Sequence, residues 1–152
     1  MDNMALIENK KAGLKYEILE KFEAGIELLG TEVKSLKTHH GSILGAHIII
    51  RGGEAYLVGA NIPPYQPANT AKEYDPTRNR KLLLTKKEIS GLAGQESKRG
   101  LTIVPIAMYN KSRKIKISIA VARGKKKYDK RETLKRRSDM REMERTLKRT
   151  NN

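Results

Sequence analysis

Cysteine and tryptophan are absent from this chain of 152 residues, and phenylalanine occurs once. Without thiols there is neither a disulfide framework nor a thiolate zinc site, a composition suited to a reducing compartment. No apolar stretch approaches the roughly 18 residues that span a bilayer. The start, Met1-Asp2-Asn3-Met4-Ala5-Leu6-Ile7-Glu8, lacks the cationic segment and apolar run of a secretion signal. The expectation is a soluble, cytoplasmic protein, in which the sequon Asn110-Lys111-Ser112 is a chance match because glycosylation needs secretion. Catalytic signatures are missing too: there is no Gly-x-Ser-x-Gly, no Gly-x4-Gly-Lys-Ser/Thr loop and no Gly-x-Gly-x-x-Gly. Histidine occurs three times, at 39, 40 and 47. Neighbours such as His39 and His40 rarely converge on one ion, and no acidic ligand stands beside them. The reading is of a protein that is not an enzyme and needs no metal or cofactor.

Positive charge is what the chain has in excess. Thirty-two Lys and Arg against 17 Asp and Glu give +15, with a pI near 10.1. Self-repulsion of that size calls for a polyanionic partner, nucleic acid first and anionic membrane second. Residues 123–152 hold 13 Lys and Arg against 5 Asp and Glu, so +8 sits in the last 30 residues and +7 in the first 122. The expected division is a folded body over 1–123, long enough to bury a core, and a basic tail over 124–152. At their joint, Gly124-Lys125-Lys126-Lys127-Tyr128-Asp129-Lys130-Arg131-Glu132 sets one aromatic ring among cations, the chemistry that holds RNA phosphate and base together.

The body reads as strands. Lys15 to Phe22 and Ala24 to Leu29 carry branched and aromatic residues, with a break expected at Glu23-Ala24-Gly25. Thr31 is a candidate cap for a short helix over Glu32 to Lys37. Ala46 to Arg51 and Glu54 to Asn61 flank Gly52-Gly53, the clearest hairpin turn. Residues 62–80, with four prolines, are too long for a passive turn and read as a binding loop or mobile flap outside the core. Lys81 to Leu84 is a short strand; Thr85-Lys86-Lys87-Glu88 matches a capping box for a helix stopped by Gly94. Leu101 to Tyr109 and Lys114 to Arg123 form the last pair. Ile115, Ile117, Ile119 and Val121 alternate there with a face of Lys116, Ser118, Ala120 and Ala122 expected to be wet. About six antiparallel strands with one to two short helices predict a mainly β, oligonucleotide-binding-type closed barrel, since closure removes exposed edges.

Beyond Tyr128 the chain has helix formers and i,i+4 pairs such as Glu132 with Arg136, but an apolar stripe of only Met140, Met143 and Leu147. Disorder in isolation and a helix on the partner are expected, with Asp129 as N-cap.

Six blocks in collinear order resemble the SsrA-binding protein family, also called small protein B. They are Asn9-Lys10-Lys11-Ala12, Phe22-Glu23-Ala24-Gly25-Ile26, Gly30-Thr31-Glu32-Val33-Lys34-Ser35-Leu36, Asp75-Pro76-Thr77-Arg78, Arg80-Lys81-Leu82-Leu83-Leu84 and Gly124-Lys125-Lys126-Lys127-Tyr128-Asp129-Lys130-Arg131. The resemblance implies a barrel that holds the tRNA-like domain of transfer-messenger RNA and delivers it to stalled ribosomes for trans-translation. Partners are then that RNA, the ribosomal A site and mRNA path in the small subunit, and elongation factor Tu with GTP on the charged RNA. The family's RNA-holding acid falls on Glu23, and its strand-to-helix contact region on Leu83 and Thr85. Glu23 serves there either as an ion-pair partner or as an acceptor for base and 2′-hydroxyl donors, Leu83 as core or contact, Thr85 as cap or contact. The implied decoding-centre and mRNA-path contacts are Tyr128, stacking on a base, with Asp129, Lys130 and Arg131. Lys10, Lys11, Lys34, Arg80, Lys81, Lys125, Lys126 and Lys127 are the phosphate candidates. The chain departs from the resemblance at Leu14, where many relatives carry His, and at Thr85, where a larger polar residue is common.

Three other readings compete: a permanent ribosomal protein, a membrane-surface protein using the tail, and an RNA-cleaving enzyme. The tail's stripe is too thin and lacks Trp or Phe to bury, and no paired acid and base appears in any motif.

Overall fold

The computed structural model describes residues 5–66, 68, 73–125, 137, 140 and 141. Among the described residues up to 125, seven strands and three helices follow in the order β1 (Ala5–Glu8), α1 (Ala12–Lys15), β2 (Tyr16–Ile26), α2 (Gly30–Lys37), β3 (His47–Arg51), β4 (Glu54–Val58), β5 (Arg80–Leu83), α3 (Lys86–Glu96), β6 (Leu101–Lys111) and β7 (Lys114–Gly124). All pairings are antiparallel, in the order β1-β6-β3-β4-β5-β2-β7, and β7 returns to β6. Six strands therefore close a ring, as expected, and β1 lies outside it against the far half of β6, pairing Glu8 with Ala107. Closure leaves the inward positions of each strand no alternative to a shared core. Ile48, Leu57, Leu82, Ile103, Ile117 and Ile119 are fully buried there, joined by Leu36 of α2 and Leu92 of α3.

Local sequence explains several joints. Gly52 and Gly53 both take left-handed dihedrals, φ 57° and 75°, as a primed two-residue turn requires. At α3 the predicted capping box forms: the Glu88 amide donates to Thr85 Oγ1 at 3.2 Å, and Glu88 Oε1 accepts from the Thr85 amide at 3.1 Å. Elsewhere tertiary contacts override local signals. β2 is one continuous strand rather than two, because Gly25 marks a close approach and not a break; a Cβ there would lie 3.2 Å from Leu83 Cβ. α3 passes through Gly94 to Glu96, held by buried Leu92 and by Glu96 Oε2, which accepts from the Ile50 amide at 2.7 Å. α2 starts at Gly30, with Glu32 Oε1 accepting from the Leu29 amide at 2.7 Å, so Thr31 does not cap it. The outward methyls of Ala120 and Ala122 are not wet; they are fully buried, flanked across the strands by Lys21 and Val104, and by Ile18 and Thr102.

The proline-rich connection is also not a flap in its described part. Arg80, placed among the phosphate contacts by its sequence, is instead fully buried. Its Nε donates to Glu32 Oε2 at 2.8 Å, its Nη1 to the carbonyls of Ala60 and Arg78 at 3.2 and 3.0 Å, and its Nη2 to Tyr74 Oη and Pro76 O at 3.3 and 2.9 Å. Every guanidinium donor thus has a partner. Glu32, 1% exposed, also takes Arg78 Nε at 3.1 Å and lies 3.1 Å from Tyr74 Oη. Ser35 Oγ donates to Pro63 O at 2.9 Å, and Ile62 is fully buried. A buried carboxylate shared by two arginines so fastens the far end of the loop to α2, and Ser35 fastens the near end.

Burial pushes the Glu32 carboxyl up, but hydrogen bonds from Arg78, the Leu29 amide and Arg80 outweigh it and hold it below the ordinary glutamate range. A carboxyl depressed in the folded state contributes stability above its unfolded pKa, and that contribution is lost as pH falls through the folded value. Arg80→Ala should therefore cost about 3–5 kcal/mol in denaturant unfolding by stranding the buried charge. Lys81→Ala, at a half-exposed pair 3.6 Å from Glu54, should cost under about 1 kcal/mol. Glu32→Gln should lower stability at neutral pH and flatten its decline in acid.

Candidate nucleic-acid interface

Strand register brings the outward residues of β5, β2, β7 and β6 into one row: Leu83 opposite Gly25, Gly25 opposite Lys116, Lys116 opposite Tyr109. One row along, Glu23 faces Ser118. The small Ser118 side chain lets the Tyr109 hydroxyl reach across β7 and donate to Glu23 Oε2, and Lys111 Nζ donates to both Glu23 oxygens at 3.1 and 3.3 Å. These hydrogen bonds, from Tyr109 first and Lys111 second, hold the Glu23 carboxyl below its usual range. The Tyr109 phenol is pushed up to about 12 by burial and by the carboxylate that accepts its hydrogen bond. Glu23 is thus an ion-pair partner of Lys111 on this face, and its half-exposed carboxylate retains lone pairs toward solvent.

Leu83 is not core. It is 51% exposed and stands as a ridge between two grooves. One, of about 470 Å³, runs past Lys81, Thr85 and Lys86; the other, of about 270 Å³, lies over Gly25 toward α2 and the β6–β7 turn. Thr85 serves as the cap, its hydroxyl engaged with Glu88 at the groove's edge. Gly25 is what lets Leu83 lie against β2 at this height.

The other candidates fall elsewhere. Lys10 and Lys11 are exposed at the start of α1, and Lys34 is exposed on α2. Lys125 fastens the end of β7 to α1: its amide donates to Lys15 O at 2.9 Å and its Nζ to Gly13 O at 2.8 Å, a cation on a helix's last carbonyls. Lys126, Lys127, Tyr128, Asp129, Lys130 and Arg131 lie outside the described residues. Among the described residues no group of three His, Asp or Glu is placed to hold a metal ion, and no helix is long and apolar enough to cross a membrane.

A family model described as SmpB protein matches residues 6–149. The chain belongs to the SmpB family. It is similar to the SsrA-binding proteins of Gloeothece citriformis and Microcystis aeruginosa, each 50% identical over 144 residues, covering 95% of this chain and 93% and 94% of theirs. Its fold is similar to a solved chain from work described as "tmRNA-SmpB: a journey to the center of the bacterial ribosome", with TM-score 0.67 and 41% identity over 84% of this chain and 93% of that one.

Sequence reasoning missed Tyr109, Lys111 and Lys116 of this SmpB-family chain. Alternation in β7 did signal that Lys116 points outward, but the register that sets Tyr109 beside Glu23 joins residues 86 apart and has no local trace. Spectrophotometric titration, with Tyr109→Phe as the reference, should find the Tyr109 phenol ionising near 12, and Glu23→Gln should move it down toward the ordinary tyrosine value. An unchanged Tyr109 titration in Glu23→Gln would mean that the two side chains do not meet.

Proposed function

We propose that this protein binds the tRNA-like domain of transfer-messenger RNA and delivers it to ribosomes stalled on a message without a stop codon, for trans-translation there. The reading rests above all on one observation: Glu23, Leu83, Tyr109 and Lys116 converge on a single outward face of a closed barrel in a member of the SmpB family. That face combines cations, a ring, an aliphatic ridge and a hydrogen-bond acceptor, the set that reads a folded RNA by shape, unpaired bases and 2′-hydroxyls. The proteins it resembles are called SsrA-binding, and the solved relative comes from work on tmRNA, SmpB and the bacterial ribosome.

In this scheme the body, residues 1–123, does most of the binding. Lys10, Lys11, Lys34, Lys81 and Lys125 to Lys127 supply phosphate contacts, while Arg80 is structural. Thr85 acts at the interface only by capping α3 beside Leu83. The tail, residues 124–152, becomes helical in the empty mRNA path, with Tyr128 stacking on a decoding-centre base and Asp129, Lys130 and Arg131 along ribosomal RNA. Elongation factor Tu with GTP accompanies the aminoacylated RNA. The protein acts by placement rather than by catalysis, in the cytoplasm.

Gel shifts of the full chain against the tRNA-like half of transfer-messenger RNA and against elongator tRNA, at two salt concentrations, test the reading. Preference for the former is expected. Alanine at a true phosphate contact should lower the magnitude of the salt slope by about 0.7 to 0.9. Tyr128→Ala should keep binding and lose tagging of stalled peptides, since a stacked ring is worth about 1–3 kcal/mol and an unpartnered one almost nothing. Equal affinity for both RNAs would refute the assignment.

A further inference from the structure

The smaller groove beside Leu83 has its own chemistry. Its floor is aliphatic, from Ile26, Leu28 and Val33, and its rim is cationic, from Lys37, Arg113 and Lys114, with Lys116 at the Gly25 end. Lys37, Arg113 and Lys114 form no ion pair with the described residues, in contrast to Arg78, Arg80, Lys81 and Lys111, each of which has a carboxylate. At about 270 Å³ the groove lies just under the range of small-molecule sites, about 300–1,000 Å³, too small for a helix of RNA and suited to one base with its sugar.

The turn that carries Arg113 is made in an unusual way. Ser112 and Arg113 take φ 50° and 68°, the geometry that glycines supply at Gly52 and Gly53 of the other two-residue hairpin in this fold. A non-glycine residue in the left-handed region costs on the order of 1–2 kcal/mol. The chain therefore keeps a long, planar, cationic side chain at a position where glycine would be more stable. Residues held in such dihedrals concentrate where a ligand is gripped.

We propose that this groove is a binding site for a single unpaired nucleotide of the RNA. The base lies on the Ile26, Leu28 and Val33 floor under the Arg113 guanidinium plane, and its phosphate sits between Lys37 and Lys114. Unstacked bases commonly settle on an arginine plane in protein–RNA complexes, and the surrounding cations complement the backbone charge. The site deepens the function proposed above and rests on it: it gives the interface one point of contact that depends on an extruded base rather than on duplex shape.

Arg113→Gly separates this role from a structural one, because the substitution relieves backbone strain while removing the plane. The full-length variant should melt at or above the wild-type temperature. Its affinity for the tRNA-like half of transfer-messenger RNA should nevertheless fall about tenfold, and the magnitude of the salt slope by about 0.7. Chemical probing of Watson–Crick edges in the complex should show one unpaired nucleotide protected by wild type and exposed with Arg113→Gly and with Lys37→Glu. Wild-type affinity, salt slope and footprint in Arg113→Gly would overturn the site while leaving the RNA-binding function intact. Failure of the wild-type protein to prefer this RNA would instead remove the function and the site with it.

Discussion

A carboxylate buried in a strongly basic protein needs an account, and Glu32 is the group around which this fold is organised. It sits at the first turn of α2, takes two arginines from the far end of a long connection, and is 1% exposed. Desolvating such charges costs several kcal/mol per ion, recovered only when geometry and additional hydrogen bonds are complete. Here they are: Arg80 has a partner for every donor, and three of those partners are backbone carbonyls of residues 60–78. The pair converts a proline-rich excursion into a fastened segment and sets where β5 begins. Since β5 carries Leu83, the outward face inherits its geometry from an interaction that never meets solvent.

The polarity of the barrel follows from β7. Its first residues carry Lys114 and Lys116 beside the Leu83 ridge; its last, Gly124, pairs with Tyr16 and hands the chain to Lys125 and α1. Nine residues of strand at about 3.3 Å each put roughly 30 Å between Lys116 and Lys125. The face proposed to grip RNA and the point where the tail departs are thus at opposite ends of one stiff element. A body that holds one RNA while its tail enters another needs such a separation, and a single strand provides it.

Much of this was legible in the residues themselves. The Gly52-Gly53 turn, the Thr85–Glu88 box and the alternating isoleucines of β7 each carry a local physical signal, and each forms as read. Closure into a barrel followed from counting antiparallel strands that need partners. What misled were signals whose meaning depends on distant neighbours. Gly25 looked like a break and is a contact surface for Leu83; Gly94 looked like a stop and is overridden by Leu92 and Glu96. Arg80 looked like a phosphate ligand because one sequence shows charge but not burial. Tyr109 escaped notice because its partner Glu23 lies 86 residues away. The resemblance singled out Glu23 and Leu83, and register shows that both lie on an outward face together with Tyr109 and Lys116.

Hydrogen exchange of the full chain, free and bound to the tRNA-like half of transfer-messenger RNA, tests the central claim most directly, because it shows where a preformed surface meets its ligand. Added protection is predicted along β2 near Glu23, at the end of β5 around Leu83 and in the β6–β7 turn. Protection confined to residues beyond 125, with none on these three segments, would contradict the account.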